Sequence, residues 1–181
     1  GRTASPSPAT ATGWNGVPSG SGSTAMGIGC TAGGNSSIAT GSATAATGVC
    51  ALSGGFQTTA QAYASVVLGR YNVIAGTSTS WVATEPVLVV GNGASIGSPS
   101  NAFTLLKNGT LTIAGTLTQS SDGRLKKDVA PVTGALRKVA ALRGVSYLFK
   151  DGSLRPSDRQ IGLVAQEVRE VLPELVQEGA D

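Results

Sequence analysis

The chain has 181 residues, a formal net charge of +3 and no histidine, a length that fits one or two domains. With 26 glycines and only 4% aromatic residues, large side chains are too few for a thick core over residues 1–120, so burial there must come from regular stacking or from other chains. The charge divides as +2 before Ser121 and +1 from it onward without a basic stripe, which argues against nucleic-acid binding, and no apolar run approaches the roughly 18 residues needed to span a bilayer.

Residues 1–20 are rich in Pro, Ser, Thr and Gly, with Trp14 the only large side chain, and read as a low-complexity lead-in. The sequence opens without Met or a signal peptide, so it is expected to begin inside a longer protein. From Gly13 a period of 14 emerges. Gly13, Gly27, Gly41, Gly55 and Gly69 form one series, and Gly20, Gly34, Gly48 and Gly76 a second, with Ala62 in the missing place. Ile38, Leu52 and Val66 recur in phase, as do Ala32, Ala46, Ala60 and Ile74. Fixed self-similarity at short period marks a solenoid. Over residues 21–76 the pattern predicts coils of two short strands with glycines at the corners, where positive φ suits them, and the aliphatic series facing inward. Cys30 and Cys50 read first as small apolar core residues and second as a disulfide.

Residues 77–120 lose the period and predict a connector. Pro86–Gly91 is a short apolar strand suited to burial on both faces. Ala102–Lys107 and Thr110–Leu117 flank Asn108-Gly109, a hairpin signal of the kind a type I′ turn favours. Leu111, Ile113 and Leu117 share one face. A single hairpin is marginal in water, so three copies around an axis, a trimeric β-prism-like connector, are expected.

Residues 121–181 carry nineteen of the 23 charged side chains and change to helical periodicity. Thr133 is placed to cap a helix through Leu136, Val139, Ala140 and Arg143. Val145–Phe149 reads as a strand and Asp151-Gly152 as a turn. A second helix with Ala165, Val168 and Leu172 on one face stops at Pro173. The expected fold class is therefore mainly β: a trimeric solenoid, a β-strand connector, and a small α+β module from residue 121.

Candidate chemistry concentrates at Ser121 and Lys126. A serine hydroxyl needs a base to become nucleophilic, and a lysine amine serves only when neutral, a form that burial favours. The carbonyl just before Ser121, that of Ser120, is the nearest electrophile, so attack would form an ester and then cut the Ser120–Ser121 bond. Spacing alone leaves a solvated loop with an exposed lysine as the commoner outcome. Other signals fall away. Gly93-Ala94-Ser95-Ile96-Gly97 fits a nucleophile elbow but has no histidine to serve it. No metal-ligand cluster is expected, since there is no His, only two Cys and few acids. No cofactor is expected either.

The segments SDGRLKKDV (121–129), GALRKV (134–139), GVSY (144–147), IGLVAQEV (161–168) and VLPELV (171–176) together resemble the peptidase S74 family, the intramolecular chaperone of endosialidases and other phage tail fibres and spikes. The resemblance implies a C-terminal chaperone that trimerises a fibre and releases itself by cutting before the motif serine. It makes Ser121 the nucleophile, Lys126 the base and Ser120–Ser121 the scissile bond, with Asp122 and Arg124 positioning them or simply packing the loop. Members of the family continue into further helices, so residues 121–181 are expected to be only the start of the domain. The repeats at 21–76 resemble the left-handed β-roll heads of trimeric bacterial adhesins. The expected partners are two further copies of the chain and a host-surface receptor or glycan, and the expected place is a virion tail fibre or the cell surface. The alternative is a surface adhesin or receptor-binding module with vestigial cleavage.

Overall fold

In a computed structural model, residues 8–118, 121–150 and 158–177 are described. The chain divides into two units between Leu117 and Thr118. In the first, long and short strands alternate: β1 (Thr10–Trp14), β2 (Val17–Pro18), β3 (Thr24–Ile28), β4 (Thr31–Ala32), β5 (Ile38–Ser42), β6 (Ala45–Ala46), β7 (Leu52–Phe56), β8 (Thr59–Ala60) and β9 (Val66–Arg70). They are followed by β10 (Pro86–Asn92), β11 (Asn101–Leu106) and β12 (Leu111–Ile113). Long strands stack in the order β1-β3-β5-β7-β9-β10-β11-β12 and short ones as β2-β4-β6-β8. From β1 to β9 all pairing is parallel with a register of 14, as in Thr24 opposite Ile38 and Ile38 opposite Leu52. The solenoid thus begins at Thr10, inside the segment expected to be a lead-in.

Its interior is made of smaller side chains than expected. Ala25 and Ala39, with Ser53 and Val67, form one inward row; Cys30, Thr44 and Thr58 form another; Ala32, Ala46 and Ala60 a third. Ser23, Ser37, Ala51 and Ser65 line a fourth. Ile38, Leu52 and Val66, expected inside, sit one residue before the buried row on the long strands and point outward. Side chains alternate along a strand, and the residues a sheet buries here are those that fit beneath a second sheet lined with alanine. Several inner hydroxyls bond locally: Ser23 Oγ donates to the Gly20 carbonyl at 2.6 Å, Ser65 Oγ to that of Ala62 at 2.7 Å, and Ser53 and Thr58 pair at 2.8 Å.

Glycine serves a purpose other than turning corners. Gly27 lies within β3 at φ +117°, and a Cβ there would stand 2.0 Å from the Gly41 carbonyl oxygen of the next coil. Gly34, in the second series, would meet Gly48 as closely at an ordinary φ. Both series therefore mark places where stacked backbones touch. The left-handed corners themselves are held mostly by other residues: Asn15, Ala43, Gln57 and Tyr71 in one line, Ser36, Cys50 and Ala64 in another. From Ser36 onward their N–H groups bond to the coil before, as Ala43 does to Ile28 at 2.7 Å and Cys50 to Asn35 at 2.8 Å. These bonds offset a strain of about 1–2 kcal/mol per residue. Cys30 and Cys50 are both free. Their separation is not a whole number of coils, so they occupy different lines, Cys30 buried and Cys50 exposed at a corner.

Beyond β9 the short-strand sheet ends on a side chain. Asn72 accepts from Thr59 N–H at 2.8 Å and donates to the Thr59 carbonyl at 3.0 Å, so its amide replaces a fifth strand. Ile74 is exposed as a result. The long sheet continues through β10, parallel to β9, and then antiparallel through β11 and β12. On β10 only Val89 and Gly91 are buried, so one face is covered rather than two. The predicted hairpin forms, but with a three-residue loop. Leu106 N–H bonds to the Thr110 carbonyl at 2.8 Å, and of the pair Asn108-Gly109 only the glycine, at φ +84°, has positive φ, the pattern of a three-residue turn rather than type I′.

This end of the unit also holds a buried ion pair. Lys107 Nζ lies 3.7 Å from Glu85 Oε2, the lysine fully covered and the glutamate 15% exposed, with the Trp81 ring 5.1 Å away. Burial alone would raise the Glu85 carboxyl. Hydrogen bonds from Thr77 and the Lys107 ammonium outweigh it and hold the group below its usual range. The backbone bonds Lys107 N–H to Glu85 O and Asn108 N–H to Ala83 O, both 2.9 Å, fasten the loop before β10 to the hairpin.

The second unit contains α1 (Ala135–Ala141), β13 (Val145–Tyr147), β14 (Gln160–Gly162) and α2 (Ala165–Val171). β13 and β14 pair antiparallel. Gly134, left-handed at φ 66°, precedes α1 without a side-chain cap, in the place expected for Thr133. Pro173 ends α2 as expected and opens a 3-10 turn through Leu175. The expected Asp151-Gly152 turn lies outside the described residues.

Two outcomes follow for stability. Gly27→Ala should lower the unfolding free energy by about 3 kcal/mol or more, through backbone collision and strained φ together. Gly109→Ala, with nothing within 4 Å, should cost only about 1 kcal/mol; denaturant titration of both variants checks the difference. By the same titration Glu85→Gln, which leaves the covered Lys107 uncompensated, should cost about 3 kcal/mol.

Candidate functional site

The segment from Ser121 folds on its own polar atoms. Asp122 caps a 3-10 turn, Gly123–Leu125, by accepting the Arg124 N–H at 2.9 Å. Lys126 N–H then closes the turn on the Gly123 carbonyl at 3.1 Å. The turn reverses the chain so that Lys126 Nζ reaches back and donates to Ser121 Oγ at 2.9 Å. The two sequence-predicted catalytic side chains are thus in hydrogen-bond contact, both exposed in the single chain. Ser120, the other side of the expected scissile bond, lies outside the described residues.

Asp122 and Arg124 also meet. The guanidinium grips the carboxylate in a fork, Nε to Oδ2 at 3.0 Å and Nη2 to Oδ2 at 2.6 Å. These side-chain bonds, then the backbone one, hold the Asp122 carboxyl below its ordinary range, and the same contact raises the Arg124 guanidinium. The fork braces the turn between the serine and the lysine without touching either.

Contacts that sequence reasoning did not anticipate join α1 to α2. Arg143, just past α1, forks onto Glu167 of α2, with Nε 3.1 Å from Oε2; the bond lowers the Glu167 carboxyl and raises the guanidinium. Lys138 lies 3.7 Å from Glu174. Beside the Lys138–Glu174 pair is an apolar cleft of about 340 Å³ lined by Val132, Ala135, Val139, Leu172 and Leu175. Pairs so far apart in the chain follow no local spacing, and only the alternation of charge with apolar residues on both helices hinted at them. No described residue from 121 to 177 is buried.

A mainly β solenoid followed by a small α+β unit that begins on a serine–lysine turn defines the class of molecule. Residues 121–177 match the family model of peptidase S74, the chaperone of endosialidase, which confirms for this unit the resemblance carried by the five sequence segments. No solved structure matches the chain.

The Asp122 shift has a definite sign. A depressed carboxylate pKa adds order to the turn above the ordinary aspartate value of about 3.9 and loses it as pH falls through the lowered folded value. The Asp122 carboxyl carbon, followed by NMR, should therefore titrate with a midpoint below that of aspartate in an unstructured peptide. In Arg124→Ala, which removes the side-chain bonds and keeps the backbone one, the midpoint should rise toward that value without reaching it.

Proposed function

We propose that the chain is the distal part of a homotrimeric fibre of the phage tail-fibre or spike kind, ending in an intramolecular chaperone. That unit assists trimerisation and cuts itself free between Ser120 and Ser121. The observation that carries this is the 2.9 Å contact of Lys126 Nζ with Ser121 Oγ at the first residue of the family match. The likeness of residues 121–177 to the endosialidase chaperone supports three-fold assembly and a place on a virion or another extracellular surface.

The reaction is a single intramolecular turnover. Neutral Lys126 takes the Ser121 hydroxyl proton as Oγ attacks the Ser120 carbonyl carbon. The Ser120–Ser121 C–N bond breaks, the departing amine takes up the proton, and Ser120 is left as an ester on Oγ. Water then hydrolyses the ester, giving a Ser120 carboxylate and restoring the Ser121 hydroxyl on a new N-terminus. In the single chain the lysine is exposed and donates to the serine, so the proton relation must reverse. Cover from the other two copies supplies the desolvation that favours the neutral amine. Asp122 and Arg124 keep the turn in shape.

Denaturing mass spectrometry of the expressed protein tests this. The parent should yield one fragment ending at Ser120 and one beginning at Ser121. Ser121→Ala should remain whole. Lys126→Ala should cleave about 10²–10⁴-fold more slowly, and Lys126→Arg, which keeps the charge but cannot become neutral, should be as slow. A trimeric parent that stays intact refutes self-cleavage.

A further inference from the structure

The two outer faces of the solenoid differ in chemistry. The short-strand face presents Val17 at its first coil and then Thr31, Ala45 and Thr59, mostly small groups content in water. On the long-strand face Met26, Ile38, Phe56 and Leu68 are each about two-fifths exposed, and half-buried Leu52 and Val66 complete the surface. No charged residue occurs anywhere from residue 8 to residue 69. The sheet behind this face has eight strands, so at about 4.8 Å per strand and 3.3 Å per residue it measures about 38 by 16 Å. That is about 600 Å², at the upper end of what monomers leave bare and close to the ~800 Å² per partner of a stable complex.

We propose that this long-strand face is where copies of the chain meet, parallel and in register, which deepens the homotrimer reading and rests on it. The periodicity selects the partner. Equivalent positions of successive coils recur at each strand spacing, and a second copy offers the same rows at the same interval, with threonine at Thr10, Thr12, Thr24 and Thr40 and aliphatic side chains at Met26, Ile38, Leu52, Val66 and Leu68. Apart from Arg70 at the end of β9, in register with Phe56, the face carries no charge, so identical faces approach with little repulsion and an acidic or basic partner would find little to pair with. In a parallel arrangement around an axis each residue faces its own equivalents, so the Met26 side chains of the copies converge. The short-strand face points to solvent.

The test uses the whole chain and light-scattering mass. In a Ser121→Ala background, which the proposed cleavage leaves whole and which serves as the parent here, the chain should measure three times 17.9 kDa. Met26→Asp and Leu52→Asp should each weaken association by about a hundredfold or more, since each sets like charges together in an apolar contact; Thr31→Asp should leave the mass unchanged. Where a variant folds poorly, cross-linking decides instead. In a Cys50→Ser background, Met26→Cys should give covalently joined copies with a short bismaleimide and Thr31→Cys should not. A monomeric parent overturns the trimer and this inference together. A trimeric parent whose mass survives Met26→Asp and Leu52→Asp, or that cross-links through Thr31→Cys instead, overturns the face and leaves the trimer standing.

Discussion

Contact between the main chains of successive coils governs this molecule. An inward alanine methyl contributes about 0.8 kcal/mol on burial, while fixing one residue's backbone costs about 1–2 kcal/mol. A coil lined by Ala25, Cys30 and Ala32 therefore cannot stand on its interior alone. Hydrogen bonds to the coils on either side make up the difference, such as Thr24 N–H to the Ser37 carbonyl at 2.9 Å and Thr31 N–H to that of Thr44 at 2.8 Å. At Gly27 and Gly34 the stacked backbones also come so close that no Cβ fits. Small interior, bare glycine and strict period are three aspects of one requirement.

The period was legible because this requirement writes itself into the sequence once in every coil. What glycine does at each position was not, since a residue needed for positive φ and one needed for closeness look the same. Here the corners belong to residues such as Ala43, Cys50 and Gln57, whose conformation is stabilised by a hydrogen bond that no single sequence position reveals. The inside–outside assignment failed for a related reason. Ile38 and Leu52 are the larger apolar residues of the repeat, and size ordinarily argues for burial, but an interior one alanine deep has no room for them.

The second unit divides along the range of its interactions. The Ser121–Lys126 contact is set within one short run of consecutive residues, so the motif and its geometry could be read together. Arg143–Glu167 and Lys138–Glu174 join distant positions and emerge only in the folded unit. Exposed apolar residues such as Leu136 and Leu175 show that this unit, taken by itself, has little dry interior. The buried Lys107–Glu85 pair had a cue in the sequence: in a stretch nearly devoid of charge, one lysine and one glutamate are conspicuous, although nothing local shows that they meet.

The unvarying register from β1 to β9 also makes length a quantity that comes in whole units. Duplicating or deleting one full repeat would move every later residue by one strand spacing, about 4.8 Å, and leave each in the same environment. An insertion of any other size would rotate small residues out of the interior and set side chains where backbones touch. Genes for such a shaft can grow or shrink only by the coding length of a complete coil, and reach can evolve separately from whatever each end carries.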